Sequence, residues 1–243
     1  MTVKRIRGAA PAARILVALL AASLGLSSCV STPGDAGPVD PATLSEGQRL
    51  ALVKKYLEQG HDALAGERVG EALDAFDRVI ALEPESAEAW AGRAWCYGHW
   101  TVQLRERASE AFRRAIELEP SDPAYRTAFA EYLLGENLLE DLEPVLAGAE
   151  RLMPHDPYLA LLYTRYWMGR RVLDEALAWA DKSIAADARG GWAYLYRAEI
   201  LRMAGGRDRE ARTDFDRALS AFERSGDEGG VENVKARLLE LGW

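Results

Sequence analysis

What most limits the fold of this chain is a recurrence of large and small apolar residues about every 34 residues, closed in most units by a proline. Phe76, Val79 and Pro84 end one stretch, Phe112, Ala115 and Pro120 the next, and Leu146, Ala149 and Pro154 a third. A unit this short cannot enclose a core of its own; it buries its apolar side only by stacking on the next copy. Ala, Leu, Glu and Arg dominate between the beats and β-branched residues are few, so the units are helical. The punctuation agrees. Asp122-Pro123 and Asp156-Pro157 place an N-cap residue before a proline in the first helical position. Gly66, Gly135, Gly169 and Gly205 fall where the first helix of each pair should end. Thr43 and Glu46 have the spacing of a capping box for the first helix. Pro144 falls early in a second helix, and the helix accommodates it without loss only if it lies within the first turn, where amides lack partners in any case. Val231, Val234, Leu238 and Leu241 predict one more amphipathic helix, with Glu232, Lys235, Arg237 and Glu240 facing water. It would cover the last apolar face of the array.

These residues resemble the tetratricopeptide-repeat family. Tyr56, Gly60, Ala72, Phe76, Val79 and Pro84 match a first unit. Trp90, Ala94, Tyr97, Ala108, Phe112, Ala115 and Pro120 match a second with a longer turn. Later units are looser: Arg126 stands where the family has a bulky apolar residue, and Leu142 where it has a small one. The resemblance spans roughly residues 46–241. It implies an all-α fold, a right-handed solenoid of about five helical hairpins with a C-terminal capping helix over 44–243. It also implies a binding face lined by the first helix of each hairpin. Carried onto this chain, that face includes Leu57, His61, Glu88, Glu131 and Glu199. The candidate protein-binding groove is Trp95, His99, Tyr158, Arg165, Trp192 and Arg202. Aromatic residues and arginine dominate the energetics of interfaces. Aromatics at helical spacing also fill the space between repeats, and the sequence leaves both roles open. The Asn- and Lys-rich set with which some relatives clamp a terminal carboxylate does not stand at these positions.

The N-terminus gives an address. Lys4, Arg5, Arg7 and Arg14 precede the apolar run Ile15 to Ser28, the charged and apolar regions of a bacterial export signal. The run ends in Leu26-Ser27-Ser28-Cys29, which looks like the lipobox of bacterial lipoproteins. That resemblance implies a signal peptide over 1–28, lipidation (palmitate included) of Cys29, and a membrane anchor made of acyl chains. Ordinary cleavage and release is the competing reading. Val30 follows the cysteine, and the lack of aspartate there favours the periplasmic face of the outer membrane in a Gram-negative cell. Residues 29–43, rich in Pro and Gly, read as a disordered tether.

The charge excludes some partners. The chain has 30 basic and 38 acidic residues; without the four basic residues of the signal the net charge becomes −12. An acidic body argues against nucleic acid. Cys96 is the second of two cysteines, so with Cys29 acylated it is a free packed thiol. His61, His99 and His155 lack metal-binding helical spacing, although His61 and His99 could approach across neighbouring first helices. No phosphate-binding glycine loop or nucleophile elbow occurs. No cofactor and no enzymatic activity are expected. The reading is a lipid-anchored scaffold for an envelope protein or peptide partner, assisting assembly of an envelope complex as pilotin-like or barrel-assembly lipoproteins do. The alternatives are an adaptor recruiting cell-wall enzymes and, more weakly, a hydrolase or metal-binding protein.

Overall fold

The computed structural model describes residues 43–100, 104–187 and 190–243. The signal, Cys29 and all of the tether except Thr43 lie outside these residues. Among the described residues there are eleven α-helices and no strand: α1 (Glu46–Ala65), α2 (Val69–Leu82), α3 (Ala87–Trp100), α4 (Arg105–Leu118), α5 (Pro123–Gly135), α6 (Leu139–Glu150), α7 (Pro157–Gly169), α8 (Leu173–Ala186), α9 (Gly191–Ala204), α10 (Asp208–Ser225) and α11 (Glu228–Glu240). They are five consecutive helix pairs and a final helix, the all-α architecture expected. The chain divides into two compact units after Ala128, inside α5.

In the first unit α1 packs on α2, α2 on α3, and α3 on α4. Val53 and Tyr56 of α1, Phe76, Val79 and Leu82 of α2 and Cys96 of α3 share one core. Phe76 lies between two glycines. A Cβ on Gly60 of α1 would come within 2.7 Å of its ring, and one on Gly92 of α3 within 2.4 Å. The second unit repeats the device around Phe222, with Gly191 of α9 at 2.6 Å and Gly230 of α11 at 2.4 Å. There α11 lays Val231, Val234, Leu238 and Leu241 against Leu195, Phe215 and Phe222, as a terminal cover requires. Burial pushes the Cys96 thiol up to about 12, with Asp77 adding to it, so the thiol is inert.

Two local features differ from expectation. The capping box lies at Ser45 and Gln48 rather than Thr43 and Glu46: the Gln48 amide donates to Ser45 Oγ at 3.3 Å, and the Ser45 amide to Gln48 Oε1 at 3.0 Å. The spacing is the same, and the later start leaves Leu44 free to pack against the first core. Pro144 is the sixth residue of α6, beyond the first turn, so its missing N–H removes a helical bond to the Glu140 carbonyl.

Three turns inside hairpins share one geometry. Arg68, Leu138 and Val172 donate their amides to the carbonyls of Ala63, Leu133 and Trp167, five residues back, at 2.8, 2.8 and 3.0 Å. The residue before each is left-handed, and none is glycine: Glu67 (φ 59°), Asn137 (φ 57°) and Arg171 (φ 60°). This is a Schellman turn. The amide closing the first helix belongs to the N-cap residue of the second, which makes no side-chain capping bond. The glycines that the sequence marks do stand at the helix ends, but of those four only Gly205 of the fifth pair takes positive φ, 75°.

The links between hairpins also repeat. In Glu83-Pro84-Glu85-Ser86, Glu119-Pro120-Ser121-Asp122 and Met153-Pro154-His155-Asp156, the fourth amide donates to the first carbonyl at 3.1, 3.2 and 3.3 Å. Proline presets the second position of such a turn. The fourth side chain then caps the next helix, taking the amides of Ala89, Ala124 and Leu159. In the first two links the proline carbonyl also accepts a side chain: Trp90 Nε1 donates to Pro84 O at 2.9 Å, and Arg126 Nη1 to Pro120 O at 2.6 Å. Arg126 therefore makes the hydrogen bond that the bulky residue makes one repeat earlier, which explains how the departure is tolerated.

Candidate functional site

Each unit carries polar contacts between the first helices of successive hairpins, 27 residues apart. In the first unit His61 Nε2 of α1 meets Glu88 Oε1 of α3 at 2.7 Å. His61 thus pairs with a carboxylate, while His99 Nδ1 meets the carbonyl of Trp95 on its own helix at 3.0 Å. His155 is exposed in its turn. Among the described residues no cluster of three metal-ligating side chains is present.

In the second unit the hydroxyl of Tyr158 on α7 donates to Glu131 Oε1 on α5, again 27 residues away. The other oxygen, Glu131 Oε2, is buried and has no hydrogen-bond partner among the described residues. Burial pushes the Glu131 carboxyl up to about 7, although the guanidinium of Arg165, two turns beyond Tyr158 on α7, pulls it down. The Tyr196 phenol on α9 is raised by burial, lowered by Arg165 and raised by Glu131. Three first helices, α5, α7 and α9, thus bring Glu131, Tyr158, Arg165 and Tyr196 into one electrostatic neighbourhood. Trp192 lies one turn before Tyr196, its ring 6.0 Å from that phenol ring and edge-on to Phe222 at 5.1 Å.

Arg165 is half-buried and, among the described residues, makes no hydrogen bond or ion pair. Trp192 stands 27 residues further on, in the place that holds an acceptor for His61, and an indole has none to offer. The remaining candidates sit differently. Arg202 donates to Glu199 on its own helix at 2.9 Å, and Arg237 of α11 approaches the same carboxylate at 3.2 Å. Trp95 and His99 belong to the first unit. Trp95 is only 5% exposed and packs edge-on against Phe112 at 5.5 Å, filling the α3–α4 hairpin. His99 is exposed beside it. The candidates that come together are therefore Tyr158, Arg165 and Trp192, joined by Glu131 and Tyr196. The sequence reading passed over Tyr196, whose one signal is its place four residues after Trp192.

Another charged cluster is saturated internally. Arg197 of α9 donates twice to Asp214 of α10, at 2.7 and 2.8 Å, and once to Asp181 of α8 at 2.6 Å. Arg217 adds a bond to Asp214 at 3.2 Å. These groups line a groove with Arg207 and Glu210, which pair with each other, so its charges balance. It ties three helices together and leaves no group for a ligand.

No family model matches the chain. Among characterised proteins, the E3 ubiquitin-protein ligase CHIP of Arabidopsis thaliana is 32% identical over 100 residues, which are 40% of this chain and 32% of that protein; the chain spans about a third of that relative's length. Solved structures share more of the architecture. PilF of Pseudomonas aeruginosa aligns with a TM-score of 0.61 at 17% identity, over 79% of this chain and 93% of that one. MamA of Desulfovibrio magneticus RS-1 aligns with a TM-score of 0.59 at 18% identity, over 72% of this chain and 97% of its own. YrrB, described as a tetratricopeptide-repeat protein with an unusual peptide-binding site, aligns with a TM-score of 0.53 at 15% identity, over 77% and 97% of the two chains. Identities this low establish a common fold and nothing about ligands.

Proposed function

We propose that this chain, whose fold is that of tetratricopeptide-repeat proteins, is a scaffold that holds a peptide or protein partner on the first-helix face of its second unit. It works from a bacterial envelope membrane to which an acylated Cys29 ties it. One observation carries the binding role: Arg165, Trp192 and Tyr196 gather on neighbouring helices, half-buried, with the cation left unpaired. Aromatic and arginine side chains in such a setting are the usual anchors of an interface. The peptide-binding site named for YrrB, a chain of the same fold, is in keeping with this reading. The anchor rests on the sequence, on the basic and apolar export signal and Leu26-Ser27-Ser28-Cys29. Among the described residues no helix is long and apolar enough to cross a membrane.

Affinity capture from detergent-solubilised envelope, with the full chain as bait, tests the binding role. The wild type is expected to retain a specific partner. The double variant Arg165→Gln/Trp192→Ala is expected to lose it while keeping its helical circular dichroism. Undiminished capture by that folded variant would refute the site. The identity of the captured protein separates assembly of an envelope complex from recruitment of a cell-wall enzyme.

A further inference from the structure

We propose that Arg165 receives a carboxylate of an acidic peptide partner, and that Glu131 takes up a proton as that carboxylate docks. The inference rests on the scaffold reading and adds to it the chemistry of the ligand.

Charge complementarity decides the ligand class. The Arg165 guanidinium offers five donors in a planar fork suited to a carboxylate. Among the described residues none of them is used. Other basic groups along this face are occupied: Arg202 and Arg237 share Glu199, and Arg237 also holds Glu240 at 2.9 Å. The groups facing Glu131 are Tyr158 and Arg165 from α7 and Tyr196 from α9. From α6, Glu150 and Glu143 are engaged by Tyr163 at 3.0 Å and Tyr166 at 3.1 Å. Among the described residues neither pairs with Arg165. The acid on which Arg165 acts is Glu131, whose carboxyl burial pushes up to about 7, so that a proton exchanges there at physiological pH.

The coupling follows from placement. An incoming carboxylate on Arg165 meets Glu131 as a like charge while Glu131 is ionised, and as a neutral acid once it is protonated. Binding to the form with Glu131 ionised therefore draws a proton from solvent onto that carboxylate. By linkage, affinity falls as pH rises through the Glu131 titration. If only the protonated form binds, a pKa of about 7 makes the complex about tenfold tighter at pH 6 than at pH 8. A cationic ligand drawn to Glu131 would show the opposite slope.

The test uses the full chain and three probes: acetyl-Leu-Glu-Leu-amide and its Gln and Lys counterparts. Each is titrated at pH 6 and pH 8 with the Trp192 indole N–H followed by NMR. The Glu probe is expected to bind, about tenfold more tightly at pH 6, and the Gln and Lys probes are expected not to. Arg165→Gln should abolish binding of the Glu probe. Glu131→Gln should bind equally at both pH values, a readout that a merely structural role for Glu131 would not produce. Binding of the Lys probe, or a Glu probe indifferent to pH or to Arg165→Gln, overturns the proposal. So does failure of all three probes to bind. Trp192→Ala separates the two readings. Envelope-partner capture that Trp192→Ala abolishes but Arg165→Gln spares refutes the carboxylate role alone. Capture that both variants spare refutes the site itself.

Discussion

Phe76 is held from two sides by glycine, and the substitution Gly92→Ala measures what that arrangement is worth. A methyl group on residue 92 would lie 2.4, 2.5 and 2.6 Å from three ring carbons of Phe76. Carbon atoms in packed interiors sit about 3.5–4.0 Å apart, so the ring would have to retreat by more than about 1 Å. It has nowhere to go, because Gly60 lies against its other side and the ring is fully buried. Overpacking of this sort costs about 1–3 kcal/mol, and a clash with no escape belongs at the upper end. Against it, alanine is favoured over glycine within a helix by about 1 kcal/mol. The net expectation is a loss of about 2 kcal/mol. Gly70, exposed in α2 with open space where a Cβ would be, supplies the control. Gly70→Ala keeps the propensity gain without the clash and should stabilise by up to about 1 kcal/mol.

Urea unfolding followed by far-ultraviolet circular dichroism gives both values. The double variant Gly92→Ala/Phe76→Leu then closes a cycle. Leucine gives the new methyl room, so the two changes together should cost less than the sum of their separate effects, by about 1 kcal/mol or more. A Gly92→Ala variant as stable as Gly70→Ala, or a cycle showing no coupling, would refute the claim that helix approach here is set by the ring and the two glycines.

The left-handed turns offer a gain: Glu67→Gly and Arg171→Gly should each stabilise by up to about 1 kcal/mol in urea, and Asn137→Gly by less, because asparagine tolerates that conformation. Removing Asp214 leaves Arg197 half-paired inside the α8–α9–α10 junction, so Asp214→Ala should cost about 3 kcal/mol or more by the same assay. The Glu131 carboxyl is raised in the folded chain, so the folded state holds its proton longer than the unfolded state does. Stability of the second unit should therefore fall as pH rises from about 4.5 through about 7, by an amount on the order of 3 kcal/mol, and Glu131→Gln should flatten that slope in urea midpoints measured across pH. Replacing the lipidation cysteine, Cys29→Ser, should move the chain from the membrane fraction to the soluble fraction on fractionation of the cell that exports it.

The hairpins were legible because burial has a period. Phe76, Phe112 and Phe215 are all fully buried, each on a second helix, and Ala72, Ala108 and Ala211 next to them are small enough for helices to approach closely. The turn chemistry was read less well. Glycine marks the preference for left-handed backbone, yet in three turns Glu67, Asn137 and Arg171 carry that conformation. A Schellman turn fixes φ through two backbone hydrogen bonds, and these leave no trace in side-chain identity. Ser45 and Gln48 show the same limit at a cap, since Thr43 and Glu46 satisfy the same spacing, and Leu44 packs against the first core in the register that forms.

The site depends on a relation that no single repeat contains. His61–Glu88 and Glu131–Tyr158 are both 27 residues apart. That interval is the 34-residue repeat less seven, or two helical turns, so neighbouring first helices are staggered by about 10 Å along their axes. Once the stagger is known, the pairing reads off the sequence: a side chain late in one first helix meets one early in the next. Histidine finds glutamate and glutamate finds tyrosine, each closing a hydrogen bond within the fold. At the corresponding positions of α7 and α9 the sequence has arginine and tryptophan, and among the described residues the ledger of donors and acceptors stays open at Arg165. Aromatic content marked Trp95 and Trp192 alike, yet Trp95 fills a hairpin, whereas Trp192 stands where Arg165 lacks an acceptor. It is that unmatched step, rather than the number of aromatic residues on the face, that singles out a place for a partner's carboxylate.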